Sequence, residues 1–400
     1  MPRKQNSNFG NANSTFHDIL ESMFPRTLKR PNSSFFLLGT RGTGKSTWLR
    51  ETFKQATWFN LLDESLFQRL LVSPGLFYSK IQNLPPESWV VVDEIQRLPQ
   101  LLNSVHRAIE EQRLNFALTG SSARKLKQAG INLLAGRAKM RSMLPLLPKE
   151  LGNSFDIESI LRYGSIPLIV NSESPEETLK DYVQLYIKEE IKSEALVRNL
   201  SNFIRSVPLF ALYNGQILNL SSTARDAEVE RKTLSSYLQI LEDTLLVKKL
   251  HAFQTKLTVR ENKKPKIYWI DPGLVRAAQG IRGPVGLQEK GPLLELYVFQ
   301  IIRDQIENHL KYDDVFYWSP SQNKTEVDFL IRKQNELFAV EVKSTLRIRP
   351  DHFKGLNEIK KLPEVKRRII LYLGEDSYLT PEGIEIMTLK KFADEINKGF

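Results

Sequence analysis

Gly39-Thr40-Arg41-Gly42-Thr43-Gly44-Lys45-Ser46-Thr47 follows directly on the apolar run Phe35-Phe36-Leu37-Leu38. An apolar strand, a G-x-x-x-x-G-K-S loop and a helix start, in that order, predict a phosphate-binding loop. The glycines let the backbone turn tightly enough to aim several N–H groups at one anion, and the helix adds the positive end of its dipole. Gly39, Gly42, Thr43, Gly44, Lys45, Ser46 and Thr47 are therefore candidate ligands of a nucleoside triphosphate. Lys45 is placed to neutralise the β and γ phosphates, and the Ser46 hydroxyl to ligate Mg²⁺.

A second motif suits the same chemistry. Trp89-Val90-Val91-Val92 is a β-branched run fit for a buried parallel strand, and it ends in Asp93-Glu94. Asp93 is expected to hold Mg²⁺ through its water shell, and Glu94 to polarise the water that attacks the γ-phosphate. Phe116-Ala117-Leu118-Thr119-Gly120-Ser121-Ser122 reads as a further core strand whose polar end lies beside the others, where open α/β sheets put their ligands.

The chain has 400 residues, enough for two to four domains, and 41% apolar with 26% charged residues is a globular composition. No apolar run approaches the roughly 20 residues of a membrane span, so no membrane partner is expected. The polar stretch from Met1 to Ser14 lacks the apolar segment of a signal peptide and reads as a short mobile tail. With no cysteine, disulfides, thiolate zinc sites and thiol nucleophiles are excluded together, and a reducing cytoplasm is the expected location. The five histidines are scattered, without metal-ligand spacing.

The net charge of +11 is unevenly placed, with 21 Lys+Arg against 11 Asp+Glu in residues 1–150 and 13 against 9 in residues 221–300. Between Glu111 and Glu150 there is no acidic residue, whereas Arg113, Arg124, Lys125, Lys127, Arg137, Lys139, Arg141 and Lys149 all fall there. Such a block suits a polyphosphate, either nucleotide or nucleic-acid backbone, or forms a solvated basic face.

Taken with Val92-Asp93-Glu94-Ile95-Gln96-Arg97-Leu98-Pro99, Leu118-Thr119-Gly120-Ser121-Ser122, Ala135-Gly136-Arg137 and Pro145-Leu146-Leu147-Pro148-Lys149-Glu150, the phosphate loop resembles a bacterial and archaeal family of AAA-type ATPases fused to a C-terminal region once catalogued as a domain of unknown function. That resemblance implies that Ser121 or Ser122 reads the γ-phosphate and that Arg137 is the arginine finger or sensor arginine, with Arg124 the alternative.

Beyond Glu150 the chain reads as helical to about residue 205, with Leu161, Ile166, Leu168, Tyr182, Leu185, Tyr186 and Ile191 as its apolar positions and Tyr163-Gly164-Ser165-Ile166-Pro167 similar to the family's glycine-proline turn. Helix-sized pieces at Ser221–Ala227 and Val229–Leu241 and an extended Leu245–Leu250 come next. Leu234, Leu238 and Leu241 mark a buried face, leaving Lys232, Ser235, Ser236 and Gln239 outward with Arg231 at the edge. This resembles the family's winged helix, which serves either as a DNA reader or as a protein-interaction module. Asp271-Pro272-Gly273 reads as a turn with no role.

Val315–Trp318, Val327–Ile331 and Leu337–Lys343 read as three strands, the last two joined by the polar Arg332–Glu336. Asp328 and the Glu341-x-Lys343 pair follow the pattern of the PD-(D/E)xK nuclease superfamily, and Glu295 matches the acidic residue of its first helix. Strand alternation puts Glu341 and Lys343 on one face. Asp328 and Glu341 could hold Mg²⁺ or Mn²⁺, and the ammonium could act at a phosphodiester.

The expected fold class is α/β: a P-loop AAA-type ATPase domain over 1–150, a helical lid or connector over 151–205, a winged helix over 206–280 and a PD-(D/E)xK nuclease-like α/β domain over 281–400. The expected function is an ATP-hydrolysing ATPase acting on DNA, with a metal-dependent nuclease domain and with DNA and further copies of the chain, as a homo-oligomer, as the expected partners. The alternative is a nucleotide-switched DNA- or protein-binding regulator whose nuclease-like domain does not cut.

Overall fold

The computed structural model describes residues 24–122, 124, 134–186, 199–254, 264–320 and 325–400, with the side chains of 185 and 186 excepted. The tail expected at Met1–Ser14, the apolar positions Leu185, Tyr186 and Ile191, and Lys125 and Lys127 of the basic block lie outside the described residues or side chains.

The first module is a parallel sheet of β1 (Phe35–Leu38), β2 (Thr57–Asn60), β3 (Trp89–Asp93), β4 (Asn115–Gly120) and β5 (Lys139–Ser142) in the order β2-β3-β4-β1-β5. α1 (Lys45–Thr52) leaves the phosphate loop, and α2 (Glu64–Val72), α3 (Gly75–Ile81) and α4 (Leu101–Gln112) complete the module. Every residue of β1 is buried, as a strand covered on both faces must be, with Phe36 and Leu38 packing in one core and Phe35 and Leu37 in another. Because β4 lies between β1 and β3, the ends of three strands meet at one edge.

Past Met143 come α5 (Ile157–Tyr163), capped by Asp156, and α6 (Pro175–Asp181), which runs into a π-helical turn at Tyr182–Tyr186. Then follow α7 (Leu200–Leu212), β6 (Gln216–Ile217), α8 (Leu220–Asp226), α9 (Arg231–Asp243), β7 (Val247–Leu250) and β8 (Lys266–Trp269), the strands forming an antiparallel sheet ordered β6-β8-β7. α9 starts at Arg231 rather than Val229, because Glu228 takes the left-handed conformation (φ 53) and Glu230 is the extended N-cap. Leu234, Leu238 and Leu241 are buried on it, and Arg231, Lys232, Ser235, Ser236 and Gln239 are exposed.

α10 (Pro272–Ala278) and the long α11 (Leu287–Glu307) lead into a six-stranded mixed sheet of β9 (Asp314–Trp318), β10 (Val327–Lys333), β11 (Glu336–Lys343), β12 (Val365–Tyr372), β13 (Tyr378–Leu379) and β14 (Glu385–Thr388). α12 (Lys354–Ile359) and α13 (Leu389–Lys398) flank it. The polar stretch between β10 and β11 is shorter than the five residues expected. Both strands run on until Lys333 pairs with Glu336, leaving a two-residue turn whose Gln334 has φ 54.

One continuous apolar core runs from Leu144 to Ile396, joining the helical segment, the middle sheet and one face of the C-terminal sheet. Among the described residues, no helix is long and apolar enough to cross a membrane.

Candidate functional sites

At the phosphate loop, Gly42 and Gly44 take positive φ (79° and 87°), and Gly44 caps α1, so Ser46 falls in its first turn. A Cβ at Gly44 would meet nothing within 4 Å, whereas one at Gly39 would run into the Met143 carbonyl. Lys45 Nζ folds onto its own loop, donating to Gly39 O at 2.7 Å and Thr40 O at 3.2 Å. Thr40 Oγ1 is buried and without a hydrogen-bond partner among the described residues. An open cradle of turned backbone, a buried ammonium and an orphaned hydroxyl suit a polyphosphate with its Mg²⁺.

β4 supplies the link to Asp93 and Glu94. Thr119 Oγ1 donates to Asp93 Oδ1 at 2.5 Å and accepts from the Glu94 N–H at 2.9 Å. Glu94 leaves β3 in the left-handed region (φ 60), and its Oε2 accepts from Ser121 Oγ at 3.1 Å and from Gln96 Nε2. Gln96 Nε2 also reaches Ser121 Oγ at 2.9 Å. Lys45, Ser46, Asp93, Glu94 and Ser121 thus stand at the C-terminal edge of one sheet, with Thr119 and Gln96 as partners that sequence reading had not singled out.

Arg137 is the exception. It precedes β5 at the opposite end of the sheet, since Lys139 pairs with Phe35 while the phosphate loop follows Leu38. Its guanidinium pairs with Glu110 of α4. That geometry takes Arg137 away from this chain's own phosphate loop. Arg124 lies just past β4, 3.9 Å from Asp243 of α9.

In the C-terminal module Glu295 (α11), Asp328 (β10), Glu341 and Lys343 (β11) converge. Asp328 Oδ2 accepts from the Val342 N–H at 2.8 Å, and Glu341 Oε1 from Lys343 Nζ at 2.5 Å. Burial, with Asp328 next, pushes Glu341 up to about 8 and Glu295 up to about 7. Burial alone would lower Lys343, but Glu341 and Asp328 hold it above the usual lysine range. Glu341 Oε2 is buried and without a hydrogen-bond partner among the described residues. Among the described residues no three carboxylate or imidazole groups stand close enough together to hold a metal ion. Two hard oxygen donors, one of them orphaned, fit a divalent cation that keeps most of its water.

Lys266, on β8, enters this cluster from the middle sheet. Its Nζ lies 3.3 Å from Glu295 Oε1 and contacts Glu326, and Tyr268 donates to the same Glu295 oxygen. No sequence motif marked either residue.

Two contacts tie the phosphate loop to the following helices: Tyr182 Oη donates to Arg41 O at 2.9 Å, and the Leu168 N–H to Gly42 O at 3.3 Å. Asp271, expected to be a plain turn residue, is fully buried; it caps α10 through the Leu274 N–H and accepts from the Ser165 N–H at 2.7 Å. Glu150 is likewise buried, paired with Arg26 at 3.2 Å and accepting from the Thr27 and Leu147 N–H groups.

Residues 31–152 match the AAA domain family, residues 154–284 a domain of unknown function (DUF8612), and residues 290–392 another (DUF4143). An uncharacterized protein of Mycobacterium tuberculosis is 24% identical over 86% of this chain and 77% of its own length. One of Haemophilus influenzae is 26% identical over 78% and 80%, and one of Methanocaldococcus jannaschii 24% over 86% and 83%. Among solved structures, the Orc1 protein of Aeropyrum pernix in complex with DNA has a TM-score of 0.31 at 13% identity, covering 63% of this chain and 87% of that one. The replication initiator DnaA bound to AMPPCP and single-stranded DNA has a TM-score of 0.25 at 14% identity, covering 59% and 89%. Similarity that low carries no weight for function. The N-terminal module is an AAA-type P-loop ATPase domain, and a DUF4143 region follows it.

Proposed function

We propose that this chain hydrolyses ATP and uses it to act on DNA, and that its C-terminal module is a metal-dependent phosphodiesterase of the PD-(D/E)xK type. ATP would be held by the loop from Gly39 to Thr47, with Mg²⁺ on Ser46 and, through water, on Asp93. In that arrangement Thr119 fixes Asp93, while Ser121 and Gln96 hold the Glu94 carboxylate where it can take a proton from an attacking water. The order α7, β6, α8, α9, β7, β8, with β8 between β6 and β7, supports reading this segment as a winged helix. We read α9 as its DNA-facing helix because its outer face carries Arg231 and Lys232.

The observation that carries the nuclease reading is the convergence of Glu295, Asp328, Glu341 and Lys343 from three elements. A divalent cation on Asp328 and Glu341 would supply charge stabilisation at a phosphodiester. Lys343, tied to Glu341, would orient water or stabilise the developing charge. The second reading, a nucleotide-switched binding protein with an inactive C-terminal module, draws on the absence of three metal-ligating groups in reach of one another among the described residues. A nicking assay in Mn²⁺ on the whole protein separates the two. Cleavage by wild type that is lost in Lys343→Ala supports the enzyme; equal cleavage by both, or none by either on linear, branched and single-stranded DNA, favours the binding protein.

A further inference from the structure

The acidic cluster of the C-terminal module divides into two halves. In one, Glu295 and Glu326 face Lys266, whose side chain is only 4% exposed. Glu295 Oε1 accepts from both Lys266 Nζ and Tyr268 Oη, so one strand of the middle sheet, β8, holds that carboxylate from two positions on one face. In the other half, Asp328 has committed one oxygen to the Val342 N–H, and Glu341 one to Lys343. Glu341 Oε2 remains buried and unpaired among the described residues.

A buried ammonium among carboxylates supplies the charge that a bound cation would otherwise supply, and it repels a second cation strongly because little water screens it. We propose that Lys266 is a built-in cation of this site: it neutralises the Glu295 and Glu326 half, so that the cluster takes a single divalent ion, on Asp328 and Glu341, and never two. This rests on the reading of the cluster as a metal site. Lys266 is then a positioning residue, and Glu295 an anchor for β8 rather than a metal ligand. The same division accounts for the failure of three carboxylates to gather around one point among the described residues.

The test is a calorimetric titration of the nucleotide-free whole chain with Mn²⁺, in an Asp93→Asn background that removes the ATPase-site ligand. Wild type and Lys266→Arg are expected to bind one ion. Lys266→Met is expected to bind two, and Glu295→Gln one, with affinity within threefold of wild type. A tenfold or greater loss of affinity in Glu295→Gln, or a second ion in wild type, overturns the proposal. So does a single ion in folded Lys266→Met. If Lys266→Met does not fold, Glu295→Gln alone decides. Absence of Mn²⁺ binding in wild type and every variant removes the metal-site reading itself and this proposal with it, whereas one ion in wild type with a tenfold loss in Glu295→Gln removes only the proposal.

Discussion

Asp271 is fully out of solvent, and burial pushes its carboxyl up to about 7, although the Ser165, Leu274, Gly273 and Ile166 N–H groups pull the other way. In the unfolded chain an aspartate titrates near 4. Between those values the folded state binds more protons than the unfolded one, so stability falls as pH rises from about 4 to about 7 and stays low above that. The linkage could reach about 4 kcal/mol. Asp271→Asn keeps an acceptor and removes the charge. Its stability relative to wild type should therefore improve by at least about 1 kcal/mol between pH 5.5 and pH 8 in urea titrations. Parallel pH profiles for the two proteins would contradict that. Glu295 and Glu341 titrate in the same direction but are common to both proteins, so the difference isolates Asp271. At the C-terminal site, Asp328→Ala, Glu341→Ala or Lys343→Ala should each abolish phosphodiester cleavage while ATP turnover persists. Glu295→Ala should be milder in cleavage, because its oxygen is already held by Lys266 and Tyr268. An Asp328→Ala protein that still cuts would move the chemistry elsewhere.

Sequence was most informative about residues that belong to spaced motifs. Lys45, Ser46, Asp93 and Glu94 could be named because phosphate chemistry dictates their order, and Asp328, Glu341 and Lys343 because their order resembles the PD-(D/E)xK pattern, with strand alternation putting Glu341 and Lys343 on one face. Thr119, Gln96, Asp271, Glu150 and Lys266 act through partners that a one-dimensional pattern does not supply. Asp271 meets Ser165 across 106 positions, and Glu150 meets Thr27 across 123. Arg137 shows the converse: its motif was visible, but which end of the sheet it occupies follows only from the register of β5 on β1.

Elements were legible where period and punctuation agreed. The three strands β9, β10 and β11 stand where their β-branched and aromatic runs put them, while the turn between β10 and β11 was overestimated because polar Arg332 and Lys333 still pair across the hairpin. Between α5 and the next helical turn, Gly164 has φ 81, and a Cβ there would fall inside the Asp271 carboxylate. Gly164→Ala should therefore destabilise the protein by about 2 kcal/mol or more. A melting temperature equal to wild type would show that the turn can move. On α9, Lys232 is exposed on the face opposite Leu234 and Leu241, and Arg231 is exposed at the edge of that buried face. Reversing both to Glu should weaken binding to unrelated DNA sequences alike and reduce the slope of log affinity against log salt by about 2. An unchanged slope would place the DNA contact on another surface.

Across the whole molecule, the three later segments share one core from Leu144 to Ile396, apart from the two cores of the parallel sheet. The boundary is also where the phosphate loop is touched: Tyr182 and Leu168 hold the carbonyls of Arg41 and Gly42, and Arg124 past β4 approaches Asp243 of α9. A nucleotide that reshapes the loop must disturb those contacts, which gives ATP a physical route to the segments that follow the parallel sheet. The measurement that bears most directly on this account is steady-state ATP turnover with and without duplex DNA, for wild type and Glu94→Gln, beside nucleotide affinity for both. Wild type should turn over ATP, and faster with DNA, while Glu94→Gln binds ATP within about threefold of wild type and loses turnover by about a hundredfold or more. Turnover by Glu94→Gln at the wild-type rate, or tight binding by wild type with no turnover under either condition, would contradict it.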